Sequence, residues 1–203
     1  MEFIKKRIEV EEADITSTYR IGKSFRGWRF QREKDRIFFV GLRGSGKSTL
    51  GREVARELGM NFLDMDEEIE RKTGVPIYEL VQQKGWEGFR EIEKKVLKDS
   101  LLLSATVVAT GGGVVVDEEN RALLTRERFV FYLMADINTL VQRLREHGEM
   151  DKRPPLTSYP LEEEMVHLLR EREPYYLEVS NFILRADRTL EELRERVKTF
   201  LGV

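Results

Sequence analysis

Gly41-Leu-Arg-Gly-Ser-Gly-Lys-Ser48, entered from Arg36-Ile-Phe-Phe-Val40, decides the fold of this 203-residue chain. The stretch fits G-x-x-x-x-G-K-[ST] at every specified position. Ile37-Phe-Phe-Val40 is a short apolar run of β-formers, as a buried parallel strand should be. Downstream, Leu50, Val54, Ala55 and Leu58 recur at helical spacing, and Gly59 stands where a helix C-cap belongs. Strand, glycine loop and helix in that order make a phosphate cradle, with backbone N–H groups turned inward and the helix N-terminus adding positive potential. A glycine turn that fits by chance is the competing reading, and both flanks weigh against it. Gly44, Ser45, Gly46, Lys47, Ser48 and Thr49 are therefore the expected ATP-binding run, with GTP the other nucleotide the pattern allows. Lys47 would reach the β and γ phosphates, and the Ser48 hydroxyl would bind Mg²⁺.

A formal charge of −2 leaves no basic field for nucleic acid, and the length suits one domain with a real core. The chain has no cysteine, which removes both a disulfide framework and a thiolate metal site. No signal-peptide pattern is seen, and Leu101–Ala109 is too short to cross a bilayer and runs into glycines. Charged residues make up 35%, which fits either ion-pair networks suited to heat or solvated helix faces. The expectation is a cytoplasmic monomer with small-molecule substrates, no nucleic-acid partner and no membrane.

Residues 1–35 stand apart as an N-terminal extension, and 36–203 form the phosphate-binding domain. Lys23–Arg32 is basic and aromatic; it either packs its rings on the domain or meets an anionic partner, and no secondary structure is assigned to it. From Ile37 strands and helices alternate, which implies a parallel sheet with right-handed crossovers. The expected strands are 37–40, 61–64, 106–109, 129–133 and 182–184. A helix opening at Glu67 breaks at Thr73-Gly-Val-Pro76, and Pro76 suits the first position of the next helix. Phe89, Ile92, Val96 and Leu97 stripe a long helix over 88–103. Asp136 precedes a helical pattern holding Leu140, Val141 and Leu144, which favours capping over metal binding. A polar excursion over 148–159 leads to a helix from about Leu161 that should end before Pro174. Leu190, Leu193, Val197 and Leu201 give the last helix its apolar face.

Three loops fall at the C-terminal ends of the strands, where an open α/β sheet holds its ligands. Asp64-Met-Asp66 places two carboxylates on one side of an extended segment. Asp64 can hold a metal-bound water near Ser48, while Asp66 can accept a proton from an attacking hydroxyl or simply cap the following helix. Thr110-Gly-Gly-Gly113 allows close approach of backbone to a ligand. Arg90, with Glu93 three residues on, and Arg172 are the third feature; periodicity alone does not lift them above surface arginines.

Taken in order, GLRGSGKST (41–49), FLDMD (62–66), GFREIE (88–93), ATGGG (109–113), KRPPL (152–156) and REREPYY (170–176) resemble shikimate kinase. The resemblance covers nearly everything from Arg36 onward. It implies a three-layer α/β/α fold of the nucleoside monophosphate kinase type, with a five-stranded parallel sheet in the order 2-3-1-4-5 and a mobile lid over about 148–159. It implies phosphorylation of the 3-hydroxyl of shikimate with ATP and Mg²⁺. Asp66 would bind and activate that hydroxyl, and Asp64 would support the metal through water beside Ser48. Arg90 and Arg172 would clamp the carboxylate, Gly111, Gly112 and Gly113 would line the same pocket, and Arg153 would bring a lid guanidinium to the phosphates. Lys47, Asp66 and Arg153 are thus the expected catalytic residues. Gly85-Trp86 departs from the Gly-Glu usual in that family. A gluconate kinase of the same fold would not require Asp66, Arg90, Gly111–Gly113 and Arg172 together. A nucleotide-binding regulatory module with a degenerate acceptor site would be marked by loss of Lys47, Asp66 or an arginine, and none is lost.

Overall fold

Ile37, Phe38, Phe39 and Val40 are wholly buried, and a strand apolar on both faces must be covered on both sides. The computed structural model describes residues 29–146 and 160–203, with the backbone of 8–9 and 18–21. Its strands are β1 (Ile8–Glu9), β2 (Thr18–Ile21), β3 (Arg36–Val40), β4 (Asn61–Asp64), β5 (Thr106–Ala109), β6 (Val130–Met134) and β7 (Phe182–Arg185). They form one sheet in the order β1-β2-β7-β6-β3-β5-β4. Counted from β3, the parallel strands follow the expected order 2-3-1-4-5. The sheet does not stop at five. β2 lies antiparallel to β7, pairing Thr18 with Leu184 and Arg20 with Phe182, and β1 adds antiparallel to β2.

The helices are α1 (Lys47–Leu58), α2 (Met65–Thr73), α3 (Ile77–Ser100), α4 (Glu118–Leu124), α5 (Ile137–Glu146), α6 (Leu161–Val179) and α7 (Leu190–Leu201). They flank the sheet, with α1 packed on α7, and α6 packed on α4 and α5. Gly59 ends α1 as expected, in the left-handed region, donating its N–H to Ala55 and Arg56 carbonyls. Asp136 accepts from the Thr139 N–H at 3.0 Å, so it caps α5.

Other boundaries differ from the sequence reading. α2 begins at Met65, so Asp64 and Asp66 do not share one extended segment. Pro76 is the N-cap rather than the first helical residue, and α3 starts there and continues past a break at Gly85, where φ is 69°. The helix expected to end before Pro174 runs through it to Val179. A proline inside a helix costs about 3 kcal/mol, and the turns beyond it repay that by burial. Tyr176 and Val179 are fully buried, and the Tyr176 ring stacks on Tyr132 at 5.1 Å between centroids. The expected lid over 148–159, with Arg153, lies outside the described residues.

Candidate active site

The phosphate loop turns into α1 at Gly46, whose φ of 94° suits glycine and which is the helix N-cap. The Lys47 side chain folds back over the loop, its Nζ donating to the Leu42 carbonyl at 2.8 Å. The Ser48 hydroxyl donates to Asp64 Oδ2. Asp64 Oδ1 accepts from the Asp66 N–H at 2.9 Å and the Glu67 N–H at 3.3 Å. Asp64 is therefore the cap of α2 as well as the partner of Ser48, and Asp66 is not the cap. A cleft opens over this loop, lined by Gly44–Leu50, Arg143 and Arg188 among others. Arg143 reaches across from α5, bonding the Ser45 carbonyl at 3.3 Å and the Ala186 carbonyl at 2.6 Å.

Beside it lies a second cleft. One wall is apolar: Leu42, Ile77, Trp86, Phe89 and Leu168. The other gathers Asp66, Arg90, Glu93, Arg172 and the three glycines. Arg90 donates through Nη1 to Glu93 Oε2, and its guanidinium lies 5.2 Å from the Phe89 ring centre. Glu93 is buried, and that burial pushes its carboxyl above the ordinary range, with Arg90 opposing. Its Oε1 has no hydrogen-bond partner. The glycines make room for this network. A Cβ at Gly111 would fall 2.6 Å from that Oε1, and a Cβ at Gly113 would fall 2.1 Å from Arg90 Nη2. Arg172 on α6 donates to the Gly112 carbonyl at 3.3 Å, and the Tyr176 hydroxyl donates to the same oxygen. Two arginines thus converge in a pocket with one apolar wall. Such a pocket accepts a small ring bearing a carboxylate.

Asp66, Arg43 and Gly112 line both clefts, so the partition between them carries a carboxylate and a guanidinium. A phosphate group over the loop and a ligand in the second pocket would thus meet at those three residues. The chain matches a sequence profile of the shikimate kinase family over residues 43–201. The chain belongs to the shikimate kinase family. It is 41% identical over 166 residues to shikimate kinase 2 of Yersinia enterocolitica, spanning 82% of this chain and 95% of that one. It is 37% identical over 167 residues to shikimate kinase of Nitratidesulfovibrio vulgaris, at 82% and 95% coverage. The solved shikimate kinase of Acinetobacter baumannii, in complex with shikimate, superposes with a TM-score of 0.78 at 34% identity, covering 84% of this chain and 95% of that one. A gluconokinase from Sinorhizobium meliloti, at TM-score 0.51 and 20% identity, shares the fold alone.

The fold of a shikimate kinase brings together every site residue expected from sequence that lies within the described residues. Arg153 lies outside them. Sequence reading gave no role to Arg43, Arg143 or Tyr176. Arg43 is an unspecified position of the loop motif, and the other two lie on helix faces whose orientation only packing settles. A hard cation fits the donors present: a helix-N-terminal hydroxyl and a carboxylate hydrogen-bonded to it. No cluster of three acidic or histidine side chains suited to a metal occurs among the described residues.

Proposed function

We propose that this chain transfers the γ-phosphoryl group of ATP to the 3-hydroxyl of shikimate, giving shikimate 3-phosphate and ADP. The observation that carries the proposal is the partition: Asp66 faces both the phosphate cleft and the twin-arginine pocket. Arg90 and Arg172 grip the planar carboxylate from two directions, and the apolar wall of Ile77, Trp86, Phe89 and Leu168 receives the ring. That anchorage presents the hydroxyl to Asp66, which orients it and takes its proton as oxygen bonds to phosphorus. The bond from the γ phosphorus to the bridging oxygen breaks, and ADP leaves. Phosphoryl transfer has a loose transition state, so alignment and charge neutralisation matter more than a strong base. Lys47 and the loop N–H groups supply part of that neutralisation, and Arg153 supplies more.

Mg²⁺, held by Ser48 directly and Asp64 through water, would neutralise the β and γ oxygens. Operation as a cytoplasmic monomer belongs to the same proposal, since one chain supplies both clefts. No described helix is long and apolar enough to cross a membrane.

The test is coupled ADP release with shikimate, quinate and gluconate as competing acceptors, with Lys47→Ala as the blank. Shikimate should give the highest kcat/KM, and the Lys47→Ala protein should be folded and inactive. Preference for gluconate would overturn the acceptor; turnover by Lys47→Ala would overturn the nucleotide site.

A further inference from the structure

Glu164 stands in the first turn of α6 yet is buried, whereas its neighbours Glu162 and Glu163 are exposed. Acids in a first turn complement the helix dipole, and the exposed pair already does so. Burial of a third needs another reason. Its Oε1 accepts from Arg43 Nη2, and the two side chains are 2% and 15% exposed. Arg43 Nε also lies 3.5 Å from Met165 Sδ. A buried ion pair adds little net stability over apolar residues of the same size, so stability alone does not account for it.

What it holds is the partition. Arg43 lines both clefts, and its backbone nitrogen lies 3.2 Å from the Cβ position of Gly112, the third partition residue. Glu164 lines neither cleft. Its bond to Arg43 connects it to the partition, and its helix, α6, carries Arg172 eight residues on, about 12 Å along the axis. We infer that Glu164 is a positioning residue for phosphoryl transfer, fixing Arg43 of the phosphate loop against α6 at the wall the phosphoryl group must cross. This rests on the proposed reaction. Either ligand alone is gripped elsewhere, nucleotide by the loop and acceptor by the twin arginines. Displacing Arg43 should therefore be felt chiefly when both are aligned for transfer.

Glu164→Gln keeps the shape and removes the charge. It should lower kcat about tenfold while the dissociation constants of ADP and of shikimate, each titrated alone, stay within about twofold. Arg43→Met should lose kcat too, and the double variant should be no slower than Arg43→Met, because removing either partner ends the same contact. A pair that merely pins α6 would instead lower the melting temperature and leave kcat unchanged, and that result overturns the inference. So does a double variant in which the two losses multiply. Should Glu164→Gln fail to fold, the double variant, which removes both charges of this pair, is compared with Arg43→Met: equal kcat supports the inference and a further loss of about fivefold or more overturns it. A wild-type protein without shikimate turnover would remove the underlying reading, a result distinct from active wild type matched by its variants.

Discussion

Arg90 and Arg172 reach one pocket from different helices, and each has a distinct anchor: a buried carboxylate for Arg90, a glycine carbonyl for Arg172. Replacing either with Ala should cost about 2–4 kcal/mol in shikimate binding, the scale of a buried charged hydrogen bond. ADP affinity should hardly move; calorimetric titration of both ligands checks the pair, and unchanged shikimate binding in both variants would refute the clamp. Glu93 makes a pH prediction. Its folded-state carboxyl is raised above its ordinary value of 4.5, chiefly by burial, so the native state holds the proton more tightly than the unfolded chain. Its contribution to stability is then full below that value and is lost as pH rises through the folded one. Denaturant unfolding of wild type and Glu93→Gln from pH 4 to 8 should show the wild type losing stability relative to the variant as pH rises. Much of this was legible residue by residue. The i,i+3 spacing of Arg90 and Glu93 foretold their pairing, but the roles of Asp64 and Asp66 turned on where α2 begins, and capping tendencies could not choose between them.

At the scale of elements, the glycine run after β5 and the helix facing it were shaped for each other. Gly113→Ala would put a methyl into the Arg90 guanidinium, which must swing away because its far end is the mobile part. Shikimate KM should rise about tenfold with ATP KM unchanged, a split that steady-state kinetics reads directly. Strands and helix faces were visible in apolar periodicity because burial wrote them there. Pro174 misled for the same reason in reverse: a local rule forecast an end, and burial of Tyr176 and Val179 overrode it. α4 carries only a short apolar pattern, too brief to stand out from a loop.

For the whole molecule, the parallel sheet order followed from the family resemblance, while the antiparallel edge did not. Thr18-Tyr-Arg-Ile21 is β-prone but isolated among polar residues, and its pairing with the edge of β7 is a non-local contact that local pattern does not carry. We propose that residues 1–33 add stability rather than chemistry. Their removal would expose the N–H and C=O groups of β7. The truncated protein should keep its kcat per folded molecule and melt lower, by roughly 2–4 °C for each kcal/mol of pairing lost. Thermal melts alongside turnover decide it, and loss of turnover in a folded truncate would make the extension part of the active unit.

The thin partition of Asp66, Arg43 and Gly112 also sets terms for inhibitor design. A compound joining a nucleotide fragment to a carboxylated ring has to pass its tether between a carboxylate and a guanidinium. A short tether carrying charge of both signs, or none, suits that gap, whereas a polyanionic chain copied from ATP meets Asp66. Joined fragments would gain from high local concentration, the second seating at millimolar effective strength once the first is bound. Discrimination from other kinases of this fold would come from the twin-arginine end.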